Sequence, residues 1–163
     1  MPYDAGNANF GRPNDLTAPE PISQLYSRKI LTYAADIPRL GRLVAPDASG
    51  DAVSRLCGSE VHVEINADGA RVTDFAQEVK ACALGQTSAS IVGRNVIGAT
   101  RGEIQTAHDE MEAMLKEGAP APTGRFAELE VLAAVKDYPA RHASVLLVFD
   151  AILKAFKDLE APA

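Results

Sequence analysis

Glu60-Val61-His62-Val63-Glu64-Ile65-Asn66-Ala67-Asp68-Gly69 is the stretch on which the fold turns. Val61, Val63 and Ile65 alternate with Glu60, His62 and Glu64, the period of two that buries one face of a strand. Asn66-Ala67-Asp68-Gly69 carries turn chemistry, and Arg71 to Val79 returns as a second strand, so the unit reads as an antiparallel hairpin. His62 falls on the polar side of the alternation, where a solvated imidazole is expected.

Each end of this hairpin leads to a cysteine, and the chain has only two. Cys57 lies just upstream, in Leu56-Cys57-Gly58-Ser59. Cys82 lies just downstream, after Val79-Lys80-Ala81 and at the mouth of a segment of small residues, Gly85, Ser88, Ala89 and Ser90. A thiol where a strand passes into a helix sits near unpaired N–H groups and the positive end of the helix dipole, and both favour the thiolate. Two thiols arriving from two loops can meet at one end of a small sheet. Thiolates ligate zinc and iron–sulfur clusters. The interval between Cys57 and Cys82 is too long for a zinc finger, and two thiols do not fill a four-coordinate site, so oxygen or nitrogen ligands are needed from elsewhere. Buried, inert cysteines are the plain alternative. A nucleophilic thiol needs a base within reach, and His142, at the start of a late helix beside Arg141, is the candidate. The chain contains no Gly-rich phosphate loop, paired metal-binding histidines or nucleophile elbow.

Outward from the hairpin the signals are helical. Pro21 opens a helix pattern with Leu25, Ile30, Tyr33, Ala34 and Ile37 near one face, and Pro38 ends it. Arg42-Leu43-Val44 reads as a short extended piece and Asp47-Ala48-Ser49-Gly50-Asp51 as a loop. Beyond Cys82, Ala83 to Val96 reads as a helix closed by Gly98. Thr100-Arg101-Gly102-Glu103 has capping-box spacing and starts a helix with Ile104, Ala107, Met111, Met114 and Leu115 on its stripe; His108 is expected at the surface. Gly118 to Gly124 is a connection. Phe126, Leu129, Leu132 and Ala133 form another helical stripe, and Arg141 to Lys157 a last helix with Val145, Phe149, Ile152, Leu153 and Phe156. One helix, a small sheet and four further helices make an α+β fold. The expected organisation is a flexible leader over 1–21, one domain over 22–158 and a tail over 159–163.

With 163 residues the chain has the length of one domain with a substantial core. Apolar residues make up 47% and charged residues 23%, the balance of a globular protein. A net charge of −6 without a Lys/Arg cluster argues against nucleic-acid binding. No apolar run is long enough to span a membrane, and no secretory signal is visible, so a cytoplasmic setting with free thiols is expected.

Several segments together resemble one family. Leu25-Tyr26 with Ile30-Leu31, Pro38-Arg39-Leu40-Gly41, Leu56-Cys57-Gly58-Ser59, Cys82 with Thr87-Ser88-Ala89-Ser90, and Tyr138-Pro139-Ala140-Arg141 with Leu147 follow one another in the order and spacing of the U-type iron–sulfur cluster assembly scaffolds, the NifU N-terminal/IscU/SufU group. The resemblance runs from about Ile22 to Phe156. It implies a three-stranded antiparallel sheet packed against about five helices. It further implies a scaffold that takes sulfur from a cysteine desulfurase, builds a transient Fe–S cluster and passes it to acceptor proteins; some members bind zinc instead, and a homo-oligomer is among the expected assemblies. By the same resemblance Cys57 and Cys82 are ligands; His142, close to the third-cysteine position but not on it, is an extra metal-ligand candidate that the resemblance itself does not supply. Two positions depart from the family pattern: Ser59 stands where the family has aspartate, and Ser144 where its third cysteine falls. Neutral serines are poor replacements for anionic ligands. Three outcomes are open: His142, His62 or another group completes the site; a partner or second protomer does; or the domain is a partner-binding or regulatory module without a cluster. A zinc-dependent sulfur acceptor is a further reading.

Overall fold

Three strands form an antiparallel sheet in the computed structural model, which describes residues 26–160. They are β1 (Ala48–Ser54), β2 (Ser59–Asp68) and β3 (Arg71–Lys80), in the order β1-β2-β3. The β2–β3 hairpin has the register Val61↔Val79, Val63↔Gln77 and Ile65↔Phe75, with an irregularity between Asn66 and Ala67. Gly69 supplies the positive φ of 63° that the turn requires.

β1 replaces the expected loop at Asp47–Asp51. It pairs with β2 through Ala48↔Ile65, Gly50↔Val63, Ala52↔Val61 and Ser54↔Ser59. Ser49, Gly50 and Asp51 have turn chemistry, but the small residues serve packing. The inner face of the sheet lies against the last helix, α4 (His142–Glu160). A Cβ at Gly50 would sit 2.1 Å from the Ala151 carbonyl oxygen and 2.7 Å from the Ala155 nitrogen. Only glycine lets the two backbones come this close. The extended piece expected at Arg42–Val44 is not a strand; instead Leu40 forms a parallel bridge with Gln77, with Gly41 N–H donating to Gln77 O and Gln77 N–H donating to Arg39 O, both at 2.9 Å.

Among the described residues, four α-helices and two 3-10 segments complete the α+β fold. α1 is Arg28–Ala35, capped by Ser27, whose Oγ accepts from Ile30 N–H. It begins later than the Pro21 start expected from sequence, and 1–25 and 161–163 lie outside the described residues. α2 (Ala83–Asn95) is buried over most of its length. Its hydroxyls bond backbone carbonyls of neighbouring segments: Thr87 to Ile30, Ser88 to Val145 and Ser90 to Asp36. Buried hydroxyls satisfied in this way fix α2 against α1 and α4. α3 (Arg101–Glu117) starts at the expected Thr100–Glu103 capping box and ends at Gly118 in the left-handed conformation.

The stretch Gly124–Asp137 is 3-10 rather than α-helical, and it is not one continuous helix: Phe126, with φ −105° and ψ 19°, breaks it. Phe126, Leu129, Leu132 and Val135 are its buried residues, and Ala133, placed on the stripe from sequence, is exposed. A spacing of three matches the three residues per turn of this helix. Phe126 packs edge-on against Phe149 of α4, ring centres 6.0 Å apart. None of the described helices is long and apolar enough to cross a membrane.

Candidate metal and sulfur site

Three elements converge at one end of the sheet. The β1–β2 turn, Arg55–Gly58, carries Cys57; Gly58 takes a φ of 73° there, and its N–H closes the turn on Ser54 O at 2.8 Å. The end of β3 delivers Cys82 as the N-cap of α2. The Cys82 side chain makes no capping hydrogen bond to that helix. Its sulfur lies 3.4 Å from the Oγ of Ser144 in the first turn of α4. Ser144 Oγ is 3.3 Å from Ser59 Oγ, which is 3.1 Å from Cys57 Sγ. The Cys57 thiol also donates to Ser54 Oγ at 3.4 Å. The two sulfurs are therefore joined through two hydroxyls in an unbroken chain of contacts.

The site has a buried floor and an accessible rim. Ser54, Ser59 and Ser144 are buried, Ser144 to 1% exposure, while both cysteines are free and half-buried. Gly85 makes the floor possible: a Cβ there would fall 2.6 Å from Ser144 Oγ. Burial pushes the Cys57 thiol up, but hydrogen bonds from the Ser54, Ser59 and Ser144 hydroxyls and the Ser59 N–H outweigh it and lower its pKa to about 7. Hydroxyls that donate to sulfur stabilise the thiolate, which is the form that ligates metal and attacks sulfur.

The histidines go elsewhere. His142 stands two residues before Ser144, about 200° away around an α-helix, and its Nε2–H donates to the carbonyls of Val135 and Lys136 at 3.0 and 3.2 Å. It lines a separate cleft with His108, Glu112 and Asp150. The structure thus does not bring it to the thiols. His62 is on the outer face of the sheet, between Asp51 at 2.8 Å and Glu64 at 3.1 Å. Burial lowers its pKa, but these two carboxylates outweigh that and raise it. His108, expected at the surface, is partly buried against Phe149 and held between Asp109 and Asp150. The hydrogen bond to Asp150 is the main cause that raises its pKa to about 9. Among the described residues, His108, Asp109 and Glu112 are the group of three histidine, cysteine or carboxylate ligands whose donor atoms converge within 4.8 Å; Cys57, Cys82 and His142 do not.

Sequence reasoning placed both cysteines, Ser59 and Ser144, but missed Ser54. Its signal was present: Ser54 and Cys57 flank a tight turn, three residues apart.

The model of the NifU-like N-terminal domain matches residues 25–145, which include Cys57, Cys82 and all three serines. The chain belongs to the NifU-like N-terminal domain family. A curated relative, the iron–sulfur cluster assembly scaffold protein IscU of Thermotoga maritima, is 27% identical over 141 residues, 86% of this chain and 99% of its own length. The crystal structure of the N-terminal part of a nitrogen-fixing NifU-like protein from Brucella abortus is 50% identical and superimposes with a TM-score of 0.85, covering 88% of this chain and 99% of that one. A protein assigned as a SUF-system scaffold in Fervidobacterium islandicum AW-1 shares the fold, with a TM-score of 0.74 at 24% identity over 82% of this chain and 97% of its own.

As a NifU-like domain, the site has an incomplete set of donors. An iron–sulfur cluster as a whole is most often held by four thiolates, and structural zinc takes four ligands, commonly thiolates and imidazoles. This chain supplies two thiols, and the hydroxyls beside them are neutral and engaged with one another. A complete four-thiolate set does not fit within one chain.

Proposed function

We propose that this protein is an iron–sulfur cluster assembly scaffold, which holds iron and sulfide as cargo at Cys57 and Cys82 for delivery to acceptor proteins. Membership of the NifU-like family supports the reading. The observation that carries it is the convergence of both thiols on the Ser59–Ser144 hydroxyl pair. The sulfur comes from a cysteine desulfurase, the setting is the cytoplasm, and zinc is an alternative occupant of the same thiols. The domain acts by holding and handing over, without a catalytic residue of its own.

The test is anaerobic loading with ferric iron and sulfide, followed by visible absorbance and iron and sulfide analysis. The wild-type chain gains a sulfide-to-iron charge-transfer spectrum, and the Cys57→Ser, Cys82→Ser double variant does not. Equal loading of the two proteins would sink the proposal.

A second reading is favoured by the Cys57 thiol itself. With its pKa near 7, a large fraction is thiolate at neutral pH, as a sulfur acceptor requires. The Cys57 thiolate attacks the outer sulfur of a donor persulfide, forms a persulfide on Cys57 and releases the donor thiolate. Mass spectrometry after incubation with desulfurase and cysteine reads this as one added sulfur, absent in Cys57→Ser; an unmodified Cys57 refutes it.

A further inference from the structure

α3 sets an imidazole and a carboxylate one turn apart. His108 and Glu112 lie four residues apart in Arg101–Glu117, the spacing that brings two side chains together on one face of a helix. Asp109 joins them: one donor atom each from His108, Asp109 and Glu112 lies within 4.8 Å of the other two. His108 and Glu112 line the cleft between α3 and the start of α4, so the group is open to an ion from solvent. Neither thiol takes part.

The imidazole is held as a ligand is held. Its side chain is 17% exposed, and its ring meets Phe149 edge-on with centres 6.3 Å apart. Nε2–H donates to Asp150 of α4 at 3.2 Å, while Nδ1 is 3.0 Å from Asp109 Oδ1. A carboxylate on one ring nitrogen fixes the ring and its tautomer and makes the other nitrogen a stronger donor, the partnership found around metal-bound histidines. Asp109 and Glu112 are more exposed than the ring, so both can turn toward an ion. Lys116 bonds Glu112 at 3.0 Å, but this is an exposed pair that yields readily. His62 also stands between two carboxylates, with a different outcome. There Glu64 is already bonded to the Arg42 guanidinium and to Leu43 N–H, which leaves less of it for a metal.

We propose that His108, Asp109 and Glu112 form a binding site for a divalent first-row metal ion, separate from the thiols. His108 ligates through Nδ1 and keeps Nε2–H on Asp150; Asp109 and Glu112 each supply an oxygen, and water completes the shell. One imidazole with two carboxylates suits ions of the Fe(II) or Zn(II) type, whereas soft Cu(I) takes sulfur. The ion occupies the place of the proton that Nδ1 shares with Asp109, and that proton leaves to solvent. The two carboxylates balance the charge of the ion. The site goes beyond the scaffold reading and does not rest on it, since neither cysteine enters.

The experiment titrates cobalt(II) into the full chain carrying Cys57→Ser and Cys82→Ser, which removes the thiols as competing ligands. Calorimetry reads stoichiometry and affinity, and proton NMR reads ligation. One ion per chain is expected, with one imidazole resonance shifted far outside its ordinary range by the paramagnetic ion. Adding His108→Gln is expected to remove that resonance and weaken binding at least tenfold. Glu112→Gln touches only the exposed pair with Lys116, so the fold is retained, which circular dichroism checks; it too is expected to weaken binding at least tenfold. Binding by either variant equal to that of the parent means an adventitious ion on surface carboxylates and overturns the site. Absence of binding to the thiol-free chain overturns it as well, and leaves the reading of Cys57 and Cys82 untouched.

Discussion

Replacing Gly50 by alanine separates two opposite views of one segment. In an exposed loop with an ordinary negative φ, Gly→Ala is neutral or stabilises by up to about 1 kcal/mol, because the unfolded chain loses freedom. In the structure, the new Cβ would lie 2.1 Å from the Ala151 carbonyl oxygen and 2.7 Å from the Ala155 nitrogen. Both are backbone atoms in the interior of α4, so no side chain can swing aside. Relief requires β1 to lift off α4 by roughly 1 Å, and overpacking of a well-fitted core costs about 1–3 kcal/mol. The rigid helix backbone places this substitution at the upper end, a fall in Tm of about 10 °C for a domain of this size. The movement also reaches the site, because β1 leads into the turn that carries Cys57 while α4 carries Ser144. Thermal unfolding by circular dichroism, with Cys57 alkylation as a second readout, measures both effects. An unchanged or raised Tm for Gly50→Ala refutes the close β1–α4 contact.

Other outcomes follow from individual groups. The His108 pKa is raised in the fold to about 9, above its unfolded value, so its stabilisation is complete below about pH 6.5 and is lost as pH rises through 9. With Asp109 and Asp150 both partly exposed, His108→Gln should cost about 1 kcal/mol at pH 6 and little at pH 10, measured by urea unfolding at both values; equal losses contradict the ion-pair origin. Alkylation of Cys57 by iodoacetamide should accelerate with pH around a midpoint near 7, and Ser54→Ala, which removes one hydroxyl from the sulfur, should move that midpoint upward; an unmoved midpoint removes Ser54 from the account. Gln77 is fully buried, and its Nε2 donates to Pro38 O and Ala89 O, both at 3.1 Å. Gln77→Leu leaves both carbonyls short of a donor and should destabilise by about 1–3 kcal/mol in urea unfolding; a neutral result means that neither bond contributes.

Much of this was legible in the residues, and the misreadings share a cause. Val61, Val63 and Ile65 alternate on a half-buried strand, and Thr100–Glu103 announces a cap, because both signals are local. β1 was hidden because Gly50 is small for the sake of a helix about a hundred residues further on, and composition alone cannot tell a turn glycine from a packing glycine. At the site, hairpin and helix boundaries brought the cysteines to one end, but the placing of His142 depended on rotation about α4. Two residues from Ser144 is close in sequence and nearly opposite in direction. Ser54 becomes meaningful only once its strand exists.

The 3-10 segment Gly124–Asp137 makes the chain unforgiving in length at an unexpected place. A surface stretch between α3 and α4 is ordinarily where insertions and deletions cost least. Here, beyond the break at Phe126, the anchors Leu129, Leu132 and Val135 recur every third residue, so one residue added or lost among them turns every later anchor by a third of a turn. Phe126 is fixed at one end against Phe149, and the other end runs through Pro139–Arg141 into α4. An indel inside the segment would thus rotate or drag the helix that holds Ser144. Exchanging one apolar side chain for another in this stretch therefore disturbs the fold less than changing its residue count, which acts like the tooth spacing of a gear.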